Sequence, residues 1–88
     1  MPYISPKKRE KLTFFKQCPK FLSTGEINYI VTSLLHKYLE ETGLNYNSIN
    51  TVIGILECVK QEFYQRVAGP YELKKKSENG NVSELDKE

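Results

Sequence analysis

From residue 27 onward the apolar positions of the chain fall on a helical period. Ile27, Ile30, Val31, Leu34, Leu35, Tyr38 and Leu39 recur at intervals of three and four. That spacing gathers all seven on one stripe of an α-helix. Asn28, Thr32, Ser33, Lys37, Glu40 and Glu41 lie mostly outside the stripe. Ser23 or Thr24 can cap the start, and Glu26, three residues after Ser23, stands at capping-box spacing and suits the positive end of the helix dipole. Gly43 supplies the left-handed residue that commonly ends a helix. The pattern predicts a helix over residues 25–42.

A second period follows, with Ile49, Val52, Ile53, Leu56, Val59, Phe63 and Val67, flanked by Ile55, Cys58 and Tyr64. Asn47 or Ser48 can cap it. The run Val52-Ile53-Gly54-Ile55-Leu56 is apolar nearly all round one turn, a composition that also suits a buried strand. The period continues through Arg66, which selects a helix over about 48–68. A helix so apolar at its middle needs neighbours on more than one side, either another helix of the chain or another subunit. Gly69-Pro70 should break or kink it, because proline lacks an amide hydrogen and disfavours helical geometry before it. Pro70 also suits the first turn of a short helix over 70–76.

From Ser77 onward, SENGNVSELDKE has little to bury and reads as a disordered tail, residues 77–88. At the other end Ser5-Pro6 resembles a cap and first-turn proline. They would open a basic amphipathic helix over 6–17 that uses Leu12, Phe14 and Phe15 and is ended by Pro19. The expected fold is all-α: one domain over residues 1–76, a small bundle built on an antiparallel helix pair with a short N-terminal helix. Ile27-Asn28-Tyr29-Ile30-Val31 is echoed 22 residues later by Ile49-Asn50-Thr51-Val52-Ile53. One echo is short of a repeat family, and common helix composition explains it as well as a pseudo-twofold does.

Length and charge sharpen this picture. A chain of 88 residues makes one domain at most. Its core is marginal, and folds of this size often recruit a disulfide, a metal or a second subunit. Cys18 and Cys58 do not form a disulfide framework, and the polar N-terminus MPYISPKKREK has no apolar signal stretch. No segment approaches the ~18 apolar residues of a membrane span. The expectation is a cytoplasmic protein with reduced thiols and no membrane contact. Net charge is +2, unevenly spread: residues 1–22 carry +5, residues 23–69 carry −2 and residues 70–88 carry −1.

Catalytic chemistry finds little to work with. His36 has Glu40 one turn on, but CxxC, HxxxH and HExxH are all missing, so a partly exposed helical histidine is the simpler reading. Glu57 and Glu62 are five residues apart, about 140° around a helix, and do not converge. Glu62 pairs more simply with Arg66 at i+4 in the favourable acid-first order. The five glycines are scattered and make no phosphate loop. The expectation is no enzyme, no metal and no cofactor.

Binding has better candidates. Lys7, Lys8, Arg9, Lys11, Lys16 and Lys20 interleave with Phe14, Phe15 and Phe21, and Lys74-Lys75-Lys76 could add a second patch. Lysines neutralise phosphates and exposed aromatics stack on bases, although the same phenylalanines fall where an amphipathic helix needs a core face. Gly54 sits mid-helix, where glycine costs ~1 kcal/mol against alanine and usually has a packing reason. With Asn50 and Cys58 it makes a small-residue stripe for close approach by a helix of the same chain or of a dimer mate. Tyr64, Arg66, Tyr71 and Glu72 cluster around Gly69-Pro70. Tyrosine and arginine are favoured interface anchors, though here the tyrosines could simply cover the end of the bundle.

The segments GEINYIVTSLLHKYL, GLNYNSINTVIGILECVKQEFYQRVAGPYELKK and the NGNV turn resemble a small uncharacterised family encoded widely by tailed bacteriophages. The resemblance spans roughly residues 23–82, in the ordered series INY, NY, IN, IG, LEC, EFY, PYE, NG, with the opening MPYI added. Where that pattern carries an arginine pair after the tyrosine, this chain has Gln65-Arg66. The resemblance implies a viral protein acting inside a bacterium and assigns no activity. The leading expectation is therefore a non-catalytic accessory protein, homo-oligomeric, that binds a host or phage protein or other macromolecule. A nucleic-acid or nucleotide binder using the basic N-terminal helix is the alternative. A small nucleotide held between subunits is a third possibility, by analogy alone.

Overall fold

The computed structural model describes residues 2–18 and 22–87. Among them the chain is helical, with no strand. Two units are distinguished, Met1–Ile55 and Leu56–Glu88, and the division falls inside one continuous helix.

The first unit opens with α1, Pro6–Glu10. Ser5 caps it, its Oγ accepting from the Lys8 amide at 3.4 Å, and Pro6 occupies the first turn. The helix expected over 6–17 ends far earlier and gives way to a separate 3₁₀ turn, Phe14–Gln17. Three effects account for this. Lys7, Lys8 and Lys11 set like charges three and four residues apart. The Thr13 hydroxyl donates to the Glu10 carbonyl at 3.3 Å, offering the backbone an alternative to the helical ladder. Leu12, Phe14 and Phe15 are exposed, so no packing supports so short a helix. Pro19, Lys20 and Phe21 lie outside the described residues.

Helix α2 runs from Thr24 to Thr42. Its capping box forms as the spacing predicts: the Glu26 amide donates to Ser23 Oγ at 3.1 Å, and the Ser23 amide donates to Glu26 Oε1 at 2.9 Å. The Ser23 backbone bond, reinforced by its hydroxyl, holds the Glu26 carboxyl below the usual carboxylate range. Gly43, at φ 95°, closes the helix, its amide donating to the Leu39 carbonyl at 2.8 Å. Lys37 and Glu41 pair one turn apart on the exposed face.

Helix α3, Tyr46–Phe63, begins earlier than either cap considered from the sequence. Asn45 is the capping residue, its Oδ1 accepting from the Ser48 amide at 2.9 Å. This leaves only Gly43-Leu44-Asn45 to connect α2 with α3. Ser48 and Val52 are the buried residues of the described chain, at 5% and 8% exposure. Leu35, Tyr38 and Leu39, on the other side of the connection, are half-buried. Coverage is thus concentrated on either side of the α2–α3 connection and fades away from it.

In the second unit α3 does not break at Gly69-Pro70. It widens into a π-helical segment, Tyr64–Ala68, and continues as α4, Gly69–Asn79. In an uninterrupted α-helix the Pro70 ring would press on the carbonyl of Arg66, four residues back. Here the Gly69 amide donates instead to the Tyr64 carbonyl, five residues back, and the widened turn carries the proline without ending the helix. Glycine suits this turn, because a Cβ at position 69 would stand 3.1 Å from that same carbonyl oxygen, a tight contact.

The tail expected to be disordered is partly built. Helix α4 extends to Asn79, Gly80 at φ 90° ends it, and a 3₁₀ turn follows at Glu84–Asp86. Asp86 organises the turn by accepting from the amides of Val82 and Ser83, both at 3.0 Å. Those backbone bonds, the Ser83 one first, lower the Asp86 pKa. Lys76 donates across the turn to the Asp86 carbonyl. Composition marked SENGNVSELDKE as having nothing to bury, and Val82 and Leu85 are indeed almost fully exposed. Capping, not burial, gives the segment its shape.

Candidate interaction surfaces

The α2 stripe is the first candidate, and α3 is open along its apolar residues too, at Ile49, Ile53, Ile55, Leu56, Val59 and Phe63. The first three turns of α2 are uncovered: Ile27, Ile30, Val31 and Leu34 are 49%, 40%, 42% and 55% exposed. On the first turns of α3, Ile49 and Ile53 are exposed as well. Among the described residues the pair of helical elements in close contact is α4 with the π segment; α2 and α3 form no such seam. Apolar residues at helical spacing normally mark the face turned to a core. Here the face exists and the intrachain core covers only its end.

Gly54 lies on an open face of α3. A Cβ at this position would meet nothing within 4 Å among the described residues. Asn50 and Cys58, one turn either side, are exposed too.

In the second unit, Tyr64 and Arg66 sit on the π segment and Tyr71 on the first turn of α4. Arg66 Nε lies 3.5 Å from Glu62 Oε1, the acid-first pairing expected from spacing. Both tyrosines are exposed, and the Lys75 ammonium stands 5.6 Å from the centre of the Tyr71 ring, within cation–π range. Tyr64, Gly69, Pro70, Leu73, Val82 and Asp86 border a broad open depression beside this cluster. The sequence placed a cluster around Gly69-Pro70 but not the π turn that shapes it. A proline three residues after Val67 and three before Leu73, inside an apolar period that continues across it, was the available signal.

Among the described residues the basic N-terminal candidates are at the surface. Lys7, Lys8 and Arg9 occupy α1, Lys11 follows it, and Lys16 lies in the Phe14–Gln17 turn. Arg9 Nε donates to the Ile4 carbonyl at 2.8 Å, so it also ties down the chain entering α1. Phe14 and Phe15 meet edge to face, with ring centres 6.3 Å apart, and remain 65% and 54% exposed. The second lysine patch is drawn partly into local contacts: Lys75 to Glu78 at 3.3 Å and Lys76 to the Asp86 carbonyl.

His36 borders a shallow depression with Leu39, Glu40, Gly43 and Leu44. Among the described residues no three His, Cys, Asp or Glu side chains are grouped to hold a metal ion. Cys18 and Cys58 are free thiols. Glu57 accepts a bond from Gln61 at 3.2 Å, within its own helix. No described helix is long and apolar enough to cross a membrane.

The chain belongs to the family described as domain of unknown function DUF6899, which it matches over residues 1–82. The match covers the opening residues as well as both long helices, the π segment and α4. No curated protein and no solved structure shows significant similarity to it.

Proposed function

We propose that this member of the family is a non-catalytic interaction protein: a self-associating helical accessory protein of a tailed bacteriophage that acts inside the infected bacterium and binds a host or phage macromolecule. The observation that carries this reading is the uncovered apolar stripe of α2, set beside described residues among which Val52 is the buried apolar side chain. One such residue does not offset the entropy of ordering two long helices. The bundle of antiparallel helices is completed by helices of a second chain. The viral setting rests on the phage resemblance of the ordered INY to NG motifs. The exposed Tyr64, Arg66 and Tyr71 supply anchors for the macromolecule. Native mass spectrometry from gentle salt is expected to find a dimer or larger assembly. A bare monomer that keeps its full helix content at micromolar concentration overturns the reading.

A second reading, nucleic-acid or nucleotide binding, is favoured by the joint exposure of Lys7, Lys8, Arg9 and Lys11 with Phe14 and Phe15. Replacing Lys7, Lys8 and Arg9 with alanine then lowers the log–log salt slope of single-stranded DNA binding by about 2, at ~0.7 per phosphate contact. A chain that binds no oligonucleotide at low salt removes this reading.

A further inference from the structure

The uncovered part of the α2 stripe has a centre. Ile27, Ile30, Val31 and Leu34 are symmetric about a point between residues 30 and 31, and beyond Leu34 the stripe passes into the half-buried Leu35, Tyr38 and Leu39. We infer that α2 pairs antiparallel with α2 of a second copy about that point, placing Ile27 opposite Leu34 and Ile30 opposite Val31. The inference rests on the self-association proposed above and names its site.

Three observations select this occupant. The first is spacing. Ile27, Val31, Leu34 and Tyr38 follow one another at four, three and four residues. This is the alternation that keeps a seam facing a partner helix. The exposed members Ile27, Ile30, Val31 and Leu34 follow at three, one and three residues, an order that reads the same from both ends about the point between 30 and 31, as a twofold interface must.

The second is area. At their fractional exposures Ile27, Ile30, Val31 and Leu34, with Ile49 and Ile53 of α3, leave on the order of 500 Å² of apolar surface. A standard interface takes about 800 Å² from each partner, somewhat over half of it apolar. The surface of these six residues is close to the apolar share that one partner contributes to a stable dimer. The α2 face supplies the larger share.

The third is charge. The segment ahead of α2 is the basic part of the chain, +5 over residues 1–22, whereas the far end of α2 carries Glu40 and Glu41. An antiparallel pair brings the basic segment of one copy to the acidic end of the other, twice. A parallel pair sets like against like. Opposed helix dipoles favour the same choice.

The test uses variants in a Cys18→Ser, Cys58→Ser background. Positions 27 and 34 are seven residues apart, about 10 Å along the axis, farther than a disulfide spans. Ile30→Cys is therefore expected to cross-link between copies on mild oxidation. Ile27→Cys alone is not, and Ile27→Cys combined with Leu34→Cys is. Cross-linking of Ile27→Cys alone as readily as Ile30→Cys indicates a parallel seam and overturns the inference.

Because cysteine in the seam can itself weaken assembly, the wild-type chain is probed too. Nitrogen-15-labelled and unlabelled copies are mixed and treated with a carbodiimide. Intermolecular links from Glu40 or Glu41 to lysines ahead of α2 are expected. Their absence in a sample that native mass spectrometry shows to be dimeric overturns the antiparallel seam and leaves self-association standing. A monomeric wild-type sample removes both.

Discussion

Aspartate in place of Ile30 is expected to leave the chain monomeric, raising the dissociation constant of the assembly by about a thousandfold or more. Ile30 lies beside the centre of the uncovered α2 stripe, 40% exposed in the single chain. Assembly would bury it together with its symmetry mate. Burying an unpaired carboxylate costs several kcal/mol, and at ~1.4 kcal/mol per factor of ten even one such charge exceeds a thousandfold. In a twofold seam there are two, close enough to repel each other.

The variant should also lose helix content on dilution, since a chain without its partner lacks the burial that holds α2 and α3. Its thermal midpoint should no longer depend on protein concentration, as that of the wild type should. Asn28→Asp adds the same charge outside the stripe and is expected to leave the mass unchanged. Sedimentation equilibrium on the two variants separates a charge on the wrong face from a charge anywhere. An Ile30→Asp chain that assembles as tightly as wild type would rule the α2 face out as the interface.

This surface was half legible from residue order. The 3-4 spacing from Ile27 to Leu39 gave the helix and its apolar side, because periodicity is a property of single residues in sequence. The capping box at Ser23 and Glu26, the glycine stop at Gly43 and the Glu62–Arg66 pair were legible for the same reason: each joins residues three or four apart. What covers the stripe was not, since that depends on groups distant in the chain or on another molecule altogether. The sequence left two sources of close approach to Gly54, the same chain or a mate. Among the described residues nothing stands within 4 Å of a Cβ at Gly54.

Misread elements share a different cause. The helix expected over 6–17 had the right apolar spacing but no neighbour to pack on, so local competition from Thr13 and lysine repulsion decided the outcome. The Asp86 turn went unseen because its bonds are made by backbone amides, which composition does not report.

The two internal glycines of the α3–α4 run are expected to respond in opposite directions, and the larger change belongs to Gly69. Valine there would press its Cβ against the Tyr64 carbonyl, 3.1 Å away and part of the backbone, so neither group can swing aside. The cost is about 1–3 kcal/mol, the usual range for overpacking. Relief would come only by breaking the Gly69–Tyr64 bond that closes the π turn. Pro70 blocks the simple return to an α-helical path, because its ring needs the space near the Arg66 carbonyl. The variant should therefore lose helix content around residues 64–79 in hydrogen exchange, as well as shifting the urea midpoint downward.

Gly54→Ala meets open space and removes the entropic penalty of a mid-helix glycine. In the single chain it should stabilise α3 by up to ~1 kcal/mol. That sign carries information about the assembly. If the partner helix approaches α3 at Gly54, the added methyl group weakens association even as it strengthens the helix. Concentration-dependent unfolding would then show a steeper loss of midpoint on dilution than wild type. If the seam lies on α2 alone, Gly54→Ala raises the midpoint equally at every concentration, and the small-residue stripe of α3 has no part in holding the copies together.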